Sequence, residues 1–329
     1  MVLKILKSNR SVNYLLTVLF GLFLWSASLI KPYLYPFYNG ESDNILFKPI
    51  HQLLKESLTA GSIISLALVL LLAFLIQLLN AHFAFIRTRT MLPAPLFVLI
   101  IGGLTEMHTL HPVYFAAVFF LLAIYRLFSA FDVPRPYSAA FDSCFLLGIG
   151  ALFYFDIIIL FPVFLAGTAI LSRETHWRIF TVNIVGVLLP FFFALSYAIL
   201  TEQSLELLKT FEQNIISANN HFKVNLNLQI FLAFLLLLTL LGTPKLIQQY
   251  DTQKVSSRKY FNVLFLFFIF SLAGFIFVPP VSQEILVILS IPICYLASNF
   301  FVSLKNRFWG EFLISLLTGI VIFLQIIAF

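Results

Sequence analysis

Charge is what this sequence has least of. Only 10% of its 329 residues are Asp, Glu, Lys or Arg, 61% are hydrophobic, and the mean hydropathy is +1.00. A soluble domain of this length cannot hide so much apolar surface while offering so little polar surface to water. Cysteine is scarce as well. Cys144 and Cys294 each fall inside an apolar run, which argues against a disulfide framework or a thiolate metal site and leaves them as packing or lipid-facing residues. Also missing are a Walker loop, a dinucleotide-binding glycine pattern after a strand, a Gly-x-Ser-x-Gly elbow, zinc-type Cys/His spacing and a convincing internal repeat. Chemistry, where there is any, falls to residues at a membrane surface.

Long apolar runs take the place of these motifs. Many approach the roughly 17 to 25 residues needed to cross a hydrocarbon core. Stretches such as "LQIFLAFLLLLTLLG" are apolar on every side, whereas barrel strands would be segments of about 10 residues alternating in polarity. The expected fold is all-α: a polytopic transmembrane helix bundle of about eleven spans, forming one integral membrane domain over residues 1–329. The spans lie near 12–31, 59–85, 91–105, 112–128, 138–155, 157–172, 178–200, 226–242, 261–278, 284–303 and 311–328. The third to sixth are short enough for re-entrant or tilted elements. Lys4, Lys7 and Arg10 precede the first run as in a signal peptide. Its length and the lack of a small-residue cleavage site predict an uncleaved helix.

Basic residues orient the bundle. With the N-terminus inside, Lys4, Lys7, Arg10, Arg87, Arg89, Arg126, Arg135, Arg173, Arg178, Lys245, Lys254, Arg258, Lys259, Lys305 and Arg307 are cytoplasmic. Lys31, Lys48, Lys55, Lys209 and Lys223 are outside, an asymmetry that follows the positive-inside rule. A cytoplasmic N-terminus and a periplasmic C-terminus are the orientation expected from it. The net charge of +6 then describes topology and calls for no nucleic acid. Acids run the other way, with Glu41, Asp43, Glu56, Glu106, Asp156, Glu202, Glu206, Glu212 and Glu284 outside. Avoidance of these loops by basic residues accounts for much of that.

Two outer connections exceed a turn. Pro49 suits the first turn of a helix, and Ile50, Leu53, Leu54 and Leu58 then share one face while His51, Gln52, Lys55 and Glu56 share the other. Residues 202–217 repeat the design, with Leu205, Leu208, Phe211 and Ile215 as the apolar stripe. Both segments, 49–58 and 202–217, read as helices lying in the membrane interface. The polar "SANNHFKVN" follows the second.

Three groups carry candidate chemistry. Glu41 and Asp43 could serve as a general base or hold a divalent cation beside a phosphate, although "YNGESDN" also suits a reverse turn. Glu106, His108 and His111 crowd the short "TEMHTLHP" hairpin as a potential metal set, or as solvated loop residues. Asp156 in "LFYFDIIILF" is either a turn residue or a buried functional acid. The forty phenylalanines are ordinary filler of membrane helices, and Trp177, Trp309, Tyr33, Tyr35 and Tyr38 are interfacial anchors.

Two resemblances add to this reading. "LPAPLFVLIIGG", "HPVYFAAVFFLLAIYRLFS", "FDSCFLLGIGALFYF" and "WRIFTVNIVGVLLPFFF", over roughly residues 87 to 195, resemble the central segments of an uncharacterised Bacteroidota family of polytopic inner-membrane proteins. That family more usually carries an acid after Trp-Arg, where this chain reads "THWRIF". A first span, an outer acidic loop and an interfacial helix are similar to the start of GT-C-type glycosyltransferases, which use polyprenyl-phosphate sugars. Asp43 matches the loop acid of that pattern and Phe47 the following aromatic, while the large outer domain of many such enzymes is missing.

The GT-C resemblance implies a protein acting on a lipid-linked sugar at the periplasmic face. Asp43 would be base or metal ligand, with Glu41, Glu106 and Asp156 as supporting acids and a divalent cation as cofactor. Lys48, Lys209, His221 and Lys223 would receive the lipid phosphate. The alternative is a non-catalytic scaffold holding a protein partner in a cell-envelope assembly. A third reading, a transporter or flippase, would need ionisable groups near mid-membrane. Only Asp142 and His82 lie well inside apolar runs, and Arg126, Arg135, Arg87 or Arg89 can partner them. Topology reporters fused at Arg135 and Asn220 should report opposite compartments, and matching signals would overturn the orientation.

Overall fold

The computed structural model describes residues 7, 12–33, 37, 40–55, 57–86, 88–174, 176–216, 226–248, 254–278, 283–304 and 306–328. Among them are thirteen α-helices and no strand. They are α1 (Val12–Ile30), α2 (Lys48–Leu54), α3 (Leu58–Phe83), α4 (Pro93–Gly102), α5 (Pro112–Phe128), α6 (Tyr137–Phe153), α7 (Phe161–Leu171), α8 (Trp177–Leu200), α9 (Ser204–Ile216), α10 (Leu226–Gln248), α11 (Val255–Phe277), α12 (Ile285–Ser303) and α13 (Arg307–Ala328). Short 3-10 turns cover Thr105–Met107 and Phe155–Leu160. α1, α3, α8, α10, α11, α12 and α13 are long and apolar enough to cross a membrane, as expected of a multi-pass helical membrane protein.

Local chemistry sets the boundaries. Pro49, Pro93, Pro112 and Pro162 each open a helix, where a missing N–H is harmless. The Ser57 side chain accepts from the Ala60 amide and caps α3, while Ala84, with φ of 49°, closes its far end. That cap also shortens the first outer helix. The helix expected over 49–58 stops at Leu54, and Leu58 belongs to α3. α9 turns Leu207, Thr210 and Asn214 toward the protein; of the expected apolar stripe, Leu205, Leu208 and Ile215 are exposed while Phe211 packs against Phe155 and Phe191.

α12 stands at the centre. Every residue from Ile285 through Phe301 is buried, enclosed by α4, α5, α10 and α11. The Tyr295 hydroxyl is satisfied by donating to the Ile76 carbonyl at 2.7 Å. Beside it α4 is also buried at every residue, yet its ten residues reach only about 15 Å. It ends at Gly102, whose carbonyl accepts from Gln325 Nε2 at 3.1 Å; that amide also reaches the Leu24 carbonyl, within α1. Residues 103–111 then run without α-helix beneath the helix ends. Irregular backbone at such depth needs protein around it, and Leu104, Met107, His108, Leu110 and His111 are all buried.

We call the end of the bundle holding residues 40–55, 103–111, 154–160 and 201–216 the upper end. At the lower end Arg126 and Asp142 form an ion pair that Ser138 joins. His82 sits instead against the rings of Phe83 and Tyr125; Arg87 lies outside the described residues.

α6 and α8 approach at backbone distance. A Cβ on Gly186 would meet the Phe141 carbonyl at 2.7 Å, and one on Gly148 would meet the Val187 carbonyl at 2.7 Å. Small residues of this kind let membrane helices pack closely. Gly186→Ala should therefore destabilise the protein by about 1–3 kcal/mol, read as a lower thermal midpoint in detergent. Gly319→Ala, where no atom lies within 4 Å, should not lower it. Equal midpoints for the two variants would overturn this packing.

Candidate functional site

The turn "GESD" determines which acid goes where. Gly40 has φ of 94°, open to glycine without strain, and its Cα approaches α9 so closely that a Cβ would lie 3.0 Å from Asn214 Oδ1. Asn214 in turn donates to Asn44 Oδ1 at 2.8 Å, and Asn44 Nδ2 donates back to the Glu41 carbonyl. This pins the turn to α9. Glu41 is turned inward and buried, whereas Asp43, two residues on, is exposed.

Glu41 meets His111 and Glu284 there. Ligand-type atoms of the three side chains lie within 4.8 Å of one another, with His111 Nε2 and Glu41 Oε2 at 3.6 Å. All three residues are buried. They come from three separate connections: the turn before α2, the segment before α5 and the residue just before α12. His111 also caps α5, its Nδ1 accepting from the Val113 amide at 3.2 Å. A ring nitrogen that accepts carries no proton, so Nε2 carries it in this arrangement and faces the carboxylates. Burial lowers the His111 pKa to about 4, with Glu284 opposing, and the ring is neutral at pH 7. Phe37 stacks on it at 5.5 Å.

Asp156, in the 3-10 turn that joins α6 to α7, faces the same cluster. Burial and then the Glu41 carboxyl push its pKa up to about 7, with the Tyr154 side chain opposing. A buried acid shifted in this way beside another carboxyl recurs at functional sites.

The remaining expected residues are placed as follows. Glu106 pairs with Gln283 Nε2 beside the cluster. His108 points the other way, stacked on Trp25 at 3.9 Å with Nδ1 3.0 Å from Ser28 Oγ. Glu106, His108 and His111 are thus spread over three environments. Asp43 and Lys48 line a groove of about 380 Å³ with Gln52, Tyr197, Gln203, Glu206 and Thr210, between α2 and α9. Lys48 donates to Glu206 at 2.5 Å within it. Lys209 is exposed on α9. His221, Lys223 and Glu56 lie outside the described residues.

Glu284 is the residue the sequence reading left out of the site. Its signal was its position, directly ahead of an apolar run that turns out to be enclosed on all sides. Compared with known proteins, the chain matches no family model, no curated protein and no solved structure.

His108 has a further consequence. Burial pushes its pKa down to about 3, the carbonyls of Gly102 and Ile101 opposing. Between about pH 6.5 and 3 the unfolded chain holds a proton on this histidine that the folded chain does not, so folded stability falls as pH drops through that window. His108→Gln should flatten the fall of the thermal midpoint with acid. An unchanged slope would show that His108 does not carry it.

Proposed function

We propose that the chain is a GT-C-like membrane enzyme acting on a lipid-linked sugar at its upper end, which faces the periplasm of a bacterial inner membrane. The observation that carries this reading is the convergence of Glu41, His111 and Glu284, with Asp156 acting on Glu41, two residues along the chain from the Asp43 that lines the groove between α2 and α9. In this reading the four shorter apolar helices cross together with the seven long ones, and eleven passes, an odd number, would put the termini on opposite sides. Arg89, Arg126, Arg135, Arg173 and Arg178 gather at the lower end, in keeping with a cytoplasmic face. α2 and α9 lie in the interface, the exposed stripe of α9 in contact with lipid.

In this reading an acceptor hydroxyl attacks the anomeric carbon, the bond from that carbon to the phosphate oxygen breaks, and polyprenyl phosphate leaves. A carboxylate must take the hydroxyl proton as the new bond forms. Glu41 is the group placed for it, because it alone joins the buried cluster to the turn that carries Asp43. His111 turns Nε2 toward the carboxylates, 3.6 Å from Glu41 Oε2. Asp43, Gln52, Gln203 and Thr210 offer hydrogen bonds to sugar hydroxyls in the groove. Lys48, bound by Glu206, is a weaker anchor for phosphate than its place in the sequence suggests.

One observation favours a transport reading instead. α4 stops part-way and is followed by irregular backbone near buried ionisable groups, as in the broken helices of transporters. Vesicles with the purified protein and a polyprenyl-phosphate sugar separate the two. Release of polyprenyl phosphate that falls about 10²–10⁴-fold in Glu41→Gln supports the enzyme; movement of the intact lipid-linked sugar between leaflets without its cleavage would replace it with the transporter.

A further inference from the structure

We infer that Glu41, His111 and Glu284 form a binding site for a first-row divalent cation such as Mn²⁺, Fe²⁺ or Zn²⁺. The inference rests on the geometry of these three side chains and holds whether or not the chain transfers sugar.

Three residues far apart in sequence bring two carboxylates and one imidazole to a single point, all within 4.8 Å. An ion with bonds of about 2.0–2.4 Å holds its ligand atoms about 3–4.8 Å apart. The 3.6 Å between His111 Nε2 and Glu41 Oε2 already falls in that range. No local motif accounts for the meeting, since the turn at Gly40, the α5 cap and the head of α12 are each built independently. The donor set also selects the ion. Carboxylates alone suit Mg²⁺ or Ca²⁺, whereas an added imidazole moves preference toward the transition metals. Asp156 brings a third carboxyl against Glu41, and a dication offsets the repulsion among them.

The cap on α5 defines what binding must change. With Nδ1 accepting from Val113, the Nε2 proton occupies the position the metal needs. Coordination through Nε2 moves that proton to Nδ1 and releases the Val113 amide, so metal and cap compete for one ring. The site therefore takes up its ion with a local rearrangement at the start of α5. Three protein ligands leave further coordination positions for water or a substrate oxygen. Glu106 and His108 take no part, being engaged with Gln283 and with Trp25 and Ser28.

The test uses the full chain purified in detergent, stripped with chelator and titrated with MnCl₂. Continuous-wave electron paramagnetic resonance should show loss of the free aqueous signal to the extent of one ion per chain. Pulsed measurement should show ¹⁴N coupling from a directly bound imidazole. Zn²⁺ should displace the bound Mn²⁺. Glu41→Gln and Glu284→Gln should each weaken binding about 10-fold or more, His111→Gln should remove the nitrogen coupling, and Glu106→Gln and His108→Gln should retain both. The wild-type spectra decide the matter without any variant: no bound Mn²⁺, or a bound ion lacking nitrogen coupling, overturns the site.

Discussion

A backbone amide or carbonyl in an apolar phase must find its hydrogen bond within the protein, and this requirement governs every part of the bundle. Where the chain stays helical the condition is met locally. Where it does not, other parts of the protein have to enclose it. Residues 103–111 are the main case, and their surroundings are correspondingly specific. Trp25 stacks on His108, the Ser65 hydroxyl donates to the His108 carbonyl, and Tyr114 donates to the Met107 carbonyl. The short α4 and the enclosed α12 are consequences of the same need, because a helix that ends inside the bundle requires neighbours on all sides.

The candidate site lies where this irregular backbone meets the turn at Gly40. Both segments present polar groups below the helix ends, and burying them is tolerable only if they satisfy one another. His111 illustrates the economy. One ring caps α5 through Nδ1 and faces two carboxylates through Nε2. The surface pair of Lys48 and Glu206 is different in kind. It is exposed, worth about 0–1 kcal/mol, and its main effect is to lower the free positive charge of the groove.

Much of the fold was legible from composition and run length. The spans expected at 12–31, 112–128, 178–200 and 284–303 coincide with α1, α5, α8 and α12 to within about two residues, because apolar runs end where polar or turn-forming residues begin. The second outer helix was legible from its stripe. The first was overextended, since the hydrophobic spacing of Leu58 fits either helix and only the Ser57 cap assigns it to α3. The site was legible only as separate acids and histidines. Glu41 and Asp43 have the same local sequence, and choosing between them depends on Asn214, well over a hundred residues away.

The sequence by itself determined a helical membrane protein, the place of its long helices along the chain and the crowding of acids in the connections away from the arginines. It could not determine which helix is central. Lipid tails are as apolar as leucine, so a lipid-facing run and an enclosed one carry the same composition. The tertiary structure decided that α12 is enclosed while α8 keeps an exposed face, that His108 and His111 point in different directions, and that Glu284 joins Glu41. Those outcomes depend on distances between distant segments, which local spacing does not encode.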